Sequence, residues 1–256
     1  MDKKPYEKLL DRIENAECVT PGNKAGLVDF LTYEHPGDVL FTKWDYPQII
    51  ERGKGNRIWD VDGKEYIDCI SGMSAMNLGH SDKRIADAMY DQYMNKLDFW
   101  FDFPTPERLK LVKRLTELTP GDFPKRVRLA LSGSDAIENA IRLARYATKR
   151  QHIISFYGAY HGQNTATMGL TGSGRMTSYY NPMPSQDNCI HQFPYPYAYR
   201  NPYGDGDGVD CARQCVQVID NMMSTGVTPM GAPDAGICNV AALIVEPCQS
   251  SAGYIV

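Results

Sequence analysis

The chain has 256 residues, a formal net charge of −4 at pH 7, 43% hydrophobic and 23% charged residues, which is ordinary globular usage and enough for one large core or two modest ones. That balance offers no basic field for a nucleic-acid backbone, and no run of about 18 apolar residues is present to span a bilayer, so neither a nucleic-acid nor a membrane partner is expected. The polar start, Met1-Asp2-Lys3-Lys4-Pro5-Tyr6, lacks the apolar stretch of a secretory signal, and a cytoplasmic protein is expected.

In chain order, the first clear element is a β-hairpin. Arg57 to Asp68 carries two short apolar/polar alternations flanking Asp62-Gly63, a dipeptide that tolerates the positive φ of a tight turn. Asp82 to Leu97 then reads as a helix, with Ile85, Met89, Tyr93 and Leu97 at four-residue intervals and Ser81 as N-cap. In the next helix Thr105 caps, Pro106 suits the first position, and Leu109, Val112, Leu115 and Leu118 recur before Pro120-Gly121. Both helices are expected to face a core.

From residue 127 the rhythm becomes strand, turn, helix. Strands are expected at Val127–Leu131, His152–Phe156, Cys189–Phe193 and Val240–Val245, and helices over Asp135–Lys149 and Val209–Ser224. Apolar runs alternating with helices imply an α/β domain with a largely parallel sheet. Two long connections rich in Gly, Pro and Tyr, about 170–188 and 194–208, exceed common loop lengths and read as site-lining or interface segments. Seven cysteines, an odd number with no two-residue-spaced pair, read as free thiols. Cys211 and Cys215 stand one helical turn apart with no His or Cys pair to answer them, and no metal is expected.

Three segments at strand ends carry chemistry. Leu131-Ser132-Gly133-Ser134-Asp135 joins a strand to a helix, where small residues, backbone N–H groups and the positive end of a helix can cradle a phosphate. The alternative is that Ser134 only caps the helix. Ser155-Phe156-Tyr157-Gly158-Ala159-Tyr160-His161-Gly162 sets an aromatic ring among small residues at the sheet edge where ligands gather, and a His beside it; packed residues are the competing reading. Ala241 to Pro247 is a buried strand ending in Glu246, a carboxylate that needs a partner or a polar cavity.

In order and spacing, "SGSDAIENAIRLAR", "ISFYGAYHG", "ALIVEPCQSSAG" and the preceding "GNRIWDVDGKEYIDCISGMSAMNLGH" resemble the class III (omega) aminotransferases, fold type I pyridoxal-phosphate enzymes. The nearest branch holds dialkylglycine decarboxylase and amino-acid epimerases. The resemblance implies an α/β large domain, with a mixed, mostly parallel sheet between helices, and an N-terminal α+β segment. Residues 1–80 would belong to the small domain and 81–256 to the front of the large one. It implies pyridoxal 5'-phosphate as cofactor, an amino donor and a 2-oxo acid acceptor as small-molecule partners, and a homodimer. Gly133 and Ser134 match the phosphate turn, Tyr160 the ring-stacking aromatic with His161 beside it, and Glu246 the acid near cofactor and substrate.

Departures accompany the match. Asp135-Ala136-Ile137 replaces a Glu-Ala-Asn run, Met73 stands where the decarboxylase branch has a glutamine, and Ser251 where many members have a switching glutamate; Met73 and Ser251 are the substrate-side positions. The family's Schiff-base lysine lies beyond the Glu-Pro motif, whereas the last lysine here is Lys149, so no catalytic residue is assigned. The expectation is an N-terminal piece whose strand Val127–Leu131 lacks its sheet neighbours. Racemisation, elimination or decarboxylation, or a non-catalytic partner subunit, are the competing functions.

Overall fold

A computed structural model describes residues 5–33, 48–97, 103–172, 189–204 and 208–256. The chain divides into two compact units, residues 1–118 and 119–256, so that the 80/81 boundary expected from sequence falls inside the first.

The first unit begins with helices α1 (Pro5–Glu14) and α2 (Pro21–Tyr33), which bury Ile13, Leu27 and Leu31 against each other. Three antiparallel strands follow, β1 (Ile50–Lys54), β2 (Arg57–Asp60) and β3 (Glu65–Ile67). The expected hairpin is β2–β3, in register Arg57 to Ile67 and Trp59 to Glu65, with Gly63 at φ +83° in its turn. The turn also reaches across the sequence: Asp62 accepts from the hydroxyl of Thr20 at 2.5 Å and from the N–H groups of Gly22 and Asn23 at 3.0 and 2.9 Å. Those are among the donors that the first turn of α2 cannot satisfy internally. A hairpin carboxylate therefore caps α2.

A single turn, α3 (Ser71–Ser74), is left-handed, with φ of +56°, +59°, +58° and +67° along its four residues. Asp68 fixes its entrance by accepting from Ile70 N and Ser71 N and by pairing with His80 Nε2 at 2.7 Å. Helix α4 runs from Lys83 to Asn95 and is capped by Asp82, which accepts from Arg84 N, in place of the expected Ser81. Ser81 has φ +57° and donates its hydroxyl to the Gly53 carbonyl instead. Helix α5 (Pro106–Leu118) starts as expected, with Thr105 Oγ1 accepting from Arg108 N at 3.3 Å. Neither helix buries a residue, and Met89, Tyr93, Leu109 and Leu118 are all more than half exposed. The expectation that both face a core is corrected: periodicity marks a face that can be buried, and packing supplies the cover.

The second unit is a layered α/β structure. Helix α6 (Gly133–Thr148), strand β4 (His152–Phe156), the short α7 (Thr165–Met168), β5 (Ile190–Phe193), α8 (Gly208–Ser224), the small pair β6 (Gly231–Ala232) and β7 (Ile237–Cys238), and β8 (Val240–Leu243) follow in order. The parallel sheet has the order β5-β4-β8, and all five residues of β4 are buried. Alternation along β4 explains this: Ile154 and Phe156 pack with Cys215 and Ile219 of α8, while Ile153 packs with Ile141 of α6 and Leu170. Each such aliphatic side chain contributes about 1.5–3 kcal/mol by leaving water.

Val127–Leu131, expected as a strand, forms no ladder, and Leu131 is fully exposed. Its residues favour a strand, but a strand exists only where a neighbour accepts its hydrogen bonds. The connection 173–188 lies outside the described residues, as does 205–207. In the rest of the second connection Tyr195 and Tyr203 pack against the β4–α8 core, while Tyr199 is exposed. Cys18, Cys69, Cys211, Cys215, Cys238 and Cys248 are free thiols. Among the described residues no helix is long and apolar enough to cross a membrane, and no cluster of three or more His, Cys, Asp or Glu could hold a metal.

Candidate functional site

Two of the three segments that the sequence singled out follow the carboxyl ends of the parallel strands β4 and β8, and the third opens helix α6. At the α6 start the N-cap is Ser132, whose Oγ accepts from Asp135 N at 3.2 Å. Gly133 and Ser134 are therefore the first two helical residues, and the capping role considered for Ser134 falls to its neighbour. A side chain on Gly133 would meet nothing within 4 Å, so this backbone faces open space. The negative charge of Asp135 turns away from that opening: its carboxylate accepts from Leu131 N at 3.1 Å and Asn139 Nδ2 at 3.0 Å.

The loop after β4 is tied down from three sides through its own N–H groups. Tyr160 N donates to Glu246 Oε1 at 2.7 Å, His161 N to Thr171 Oγ1 at 3.1 Å, and Gln163 N to Ser134 Oγ at 3.3 Å. Thr171 in turn donates its hydroxyl to the Gly162 carbonyl at 2.8 Å. Gly162 is required between them, since at φ +126° a Cβ would stand 2.4 Å from Ser134 Oγ and 2.7 Å from Thr167 Oγ1. Ser134, Tyr160 and Glu246, 112 positions apart at the extremes, are thus brought into one cluster.

Its polar accounting is incomplete. His161 is buried and its Nε2 has no hydrogen-bond partner, and neither does Oε1 of the buried Gln249, whose Nε2 donates to Tyr157 O at 3.0 Å. Burial lowers the His161 pKa, partly offset by the charge of Glu246, so the ring is neutral near pH 7. Tyr195 donates its hydroxyl to the Glu246 carbonyl at 3.0 Å, and burial, with Cys248 and Glu246 adding to it, raises its pKa.

Ser251 lies on an exposed turn closed by the Gln249–Ile255 bridge, next to Ser250, whose N–H is 3.5 Å from Glu246 Oε2. Met73 belongs to the other unit, on the left-handed turn α3, with 79% of its surface exposed. The sequence reading missed Thr171 and gave no individual role to Ser132 and Gln249, although both lie in segments it singled out. Their identities carry no signal; only the fold shows that a threonine after α7 faces the residues after β4.

A family model described as aminotransferase class-III matches residues 41–256. The chain is 32% identical over 211 residues to a leucine/methionine racemase of Thermococcus litoralis, a match covering 82% of this chain and 45% of that one. It is also 32% identical over 212 residues to a 5-aminovalerate aminotransferase of Pseudomonas aeruginosa, covering 82% and 46%. Among solved structures, an amine transaminase from an uncultivated Pseudomonas species in its PLP-bound form superposes with TM-score 0.72 at 27% identity, over 87% of this chain and 49% of that one. The chain spans about half the length of the curated relatives it matches.

Proposed function

This chain belongs to the class-III aminotransferase family, and from that premise we propose that it supplies the phosphate- and ring-holding part of a pyridoxal 5'-phosphate site in a protein that moves an amino group from an amine or amino acid to a 2-oxo acid. The observation that carries the reading is the convergence of Ser134, at the start of α6, with the Tyr160–Gln163 loop and Glu246, which follow the parallel strands β4 and β8. The residues fit the cofactor. An open helix start at Gly133 and Ser134 suits an anion, Gly162 keeps the floor of the cluster narrow, and the orphaned His161 Nε2 needs a polar partner.

When bound, pyridoxal phosphate supplies an electron-withdrawing ring that stabilises negative charge on the substrate carbon. The chain's own residues bind and orient. The N–H groups at the start of α6 and the Ser134 hydroxyl would hold the phosphate, and Tyr160, exposed and anchored through its backbone, would support the heterocycle with its ring. Neutral His161 sits beside it as a hydrogen-bonding group without adding charge. Met73 and Ser251 are assigned to the substrate side, residues 1–80 to the small domain and 81–256 to the large one. The whole protein is assigned to the cytoplasm as a homodimer.

Racemisation is the second reading, because the racemase and the aminovalerate aminotransferase are equally identical to this chain. A protein containing the chain, given a 15N-labelled amino donor and a 2-oxo acid, is expected to place the label on the acceptor. Inversion of the donor without label transfer favours the racemase reading, and neither outcome overturns both.

A further inference from the structure

Tyr160 is partly covered, with 40% of the residue exposed, and it stands two positions after Gly158, which is at φ +83°. Its place is set by the backbone. Ala159 is wholly buried, and its N–H donates to Phe156 O at 3.2 Å. The Tyr160 N–H then meets a carboxylate oxygen at 2.7 Å, from a residue 86 positions away. Of the three side chains that take N–H groups from this loop, Thr171, Ser134 and Glu246, only Glu246 is ionisable. Hydrogen bonds to an ionised acceptor are roughly twice as strong as neutral ones.

Glu246 is itself held from behind. Tyr195 donates to its carbonyl at 3.0 Å and to that of Pro247 at 3.3 Å, and Ser250 N approaches its second carboxylate oxygen at 3.5 Å. We propose that Glu246 is a positioning residue, whose carboxylate fixes the Tyr160 backbone and thereby the height and tilt of the ring, and that it does this without contacting substrate. The inference rests on the reading of Tyr160 as the ring support, and it changes the role of Glu246 from a group beside the cofactor to a strut behind the aromatic.

The test uses the 15N-labelled 256-residue chain. Lowering the pH from 7 to 3.5 is expected to shift the Tyr160 amide proton, and Glu246→Gln is expected to leave it flat. Pyridoxal 5'-phosphate, titrated by absorbance, is expected to bind roughly tenfold more weakly to Glu246→Ala, which loses the acceptor. Glu246→Gln keeps a neutral acceptor and is expected to stay within about threefold of the parent. A Tyr160 amide that ignores pH overturns the proposal, as does Glu246→Gln binding as poorly as Glu246→Ala, since the charge would then act on the ligand itself. Absence of binding in every protein, the parent included, with the amide still titrating, removes the cofactor reading and leaves the strut in place.

Discussion

Two clusters of buried polar groups, one in each compact unit, differ in whether their hydrogen bonds close. Around the hairpin turn, Asp60 is wholly buried and accepts from Tyr66 Oη at 2.7 Å, Asn23 Nδ2 and Lys64 N at 2.9 Å, and Asp62 N at 3.1 Å. Burial is the largest influence on that carboxyl and pushes it up, but the four hydrogen bonds together hold it below the ordinary range. The same arrangement drives the Tyr66 phenol up to about 12, first through burial and then through Asp60. Around the β4 loop, by contrast, His161 Nε2 and Gln249 Oε1 find no partner and Gly133 faces open space. A closed network holds a fold together, whereas the open one lies where the cofactor is proposed to bind.

The sharpest way to break this contrast is Gly162→Ala. A Cβ forced against Ser134 Oγ at positive φ is expected to cost about 3 kcal/mol of stability and to abolish pyridoxal phosphate binding, read by chemical denaturation and absorbance titration. Asn23→Leu attacks the closed network. It removes a donor to both Asp60 and Asp62 and the acceptor of Ile49 N, and about 2 kcal/mol is expected to be lost. Tryptophan fluorescence reports this change, because Trp59 lies on β2 next to Asp60; cofactor binding is expected to be unchanged.

His161→Leu should separate stability from binding. Deleting an unsatisfied buried nitrogen is expected to leave stability within about 1 kcal/mol or improve it, while pyridoxal phosphate binding weakens about tenfold. A large loss of stability would show that Nε2 is satisfied after all. The smallest effect is in pH. Asp60, Asp62, Asp68 and Asp82 titrate below ordinary carboxylates, Asp82 at about 2, so their contribution is complete above about pH 4 and lost as pH falls through the folded values. Burial lowers His161 and His191, so below about pH 6.5 the unfolded chain takes up protons first and the second unit weakens. Residue-resolved NMR intensities from pH 7.5 to 3 are expected to show the second unit yielding at the higher pH.

The sequence made the second unit largely legible because its signals are local. Apolar runs gave β4, β5 and β8, and turn chemistry gave the hairpin at Asp62-Gly63. What it hid depends on distant partners. Helix α2 buries Asn23, Leu27 and Leu31 at four-residue intervals, but the first of these is polar, Gly22 and Gly26 stand beside them, and the cap comes from a residue 40 positions on. Val127–Leu131 has strand residues and no strand beside it, and the apolar stripes of α4 and α5 have no cover among the described residues. In the proposed site, Ser134, Tyr160, His161 and Glu246 were readable from composition and resemblance. Thr171 was not, and the cap was weighed at Ser134 where the structure has Ser132, since any hydroxyl at a turn looks alike until the backbone places it.

Backbone amide shifts recorded while pyridoxal 5'-phosphate is added to the 15N-labelled chain test the central claim most directly. Saturable changes are expected at Gly133, Ser134, Tyr160 and His161, with Asn23, Asp60 and Asp62 unmoved as an internal control. Changes of equal size in both regions, or none at the start of α6 and the β4 loop, would contradict the assignment of this cluster as the cofactor site.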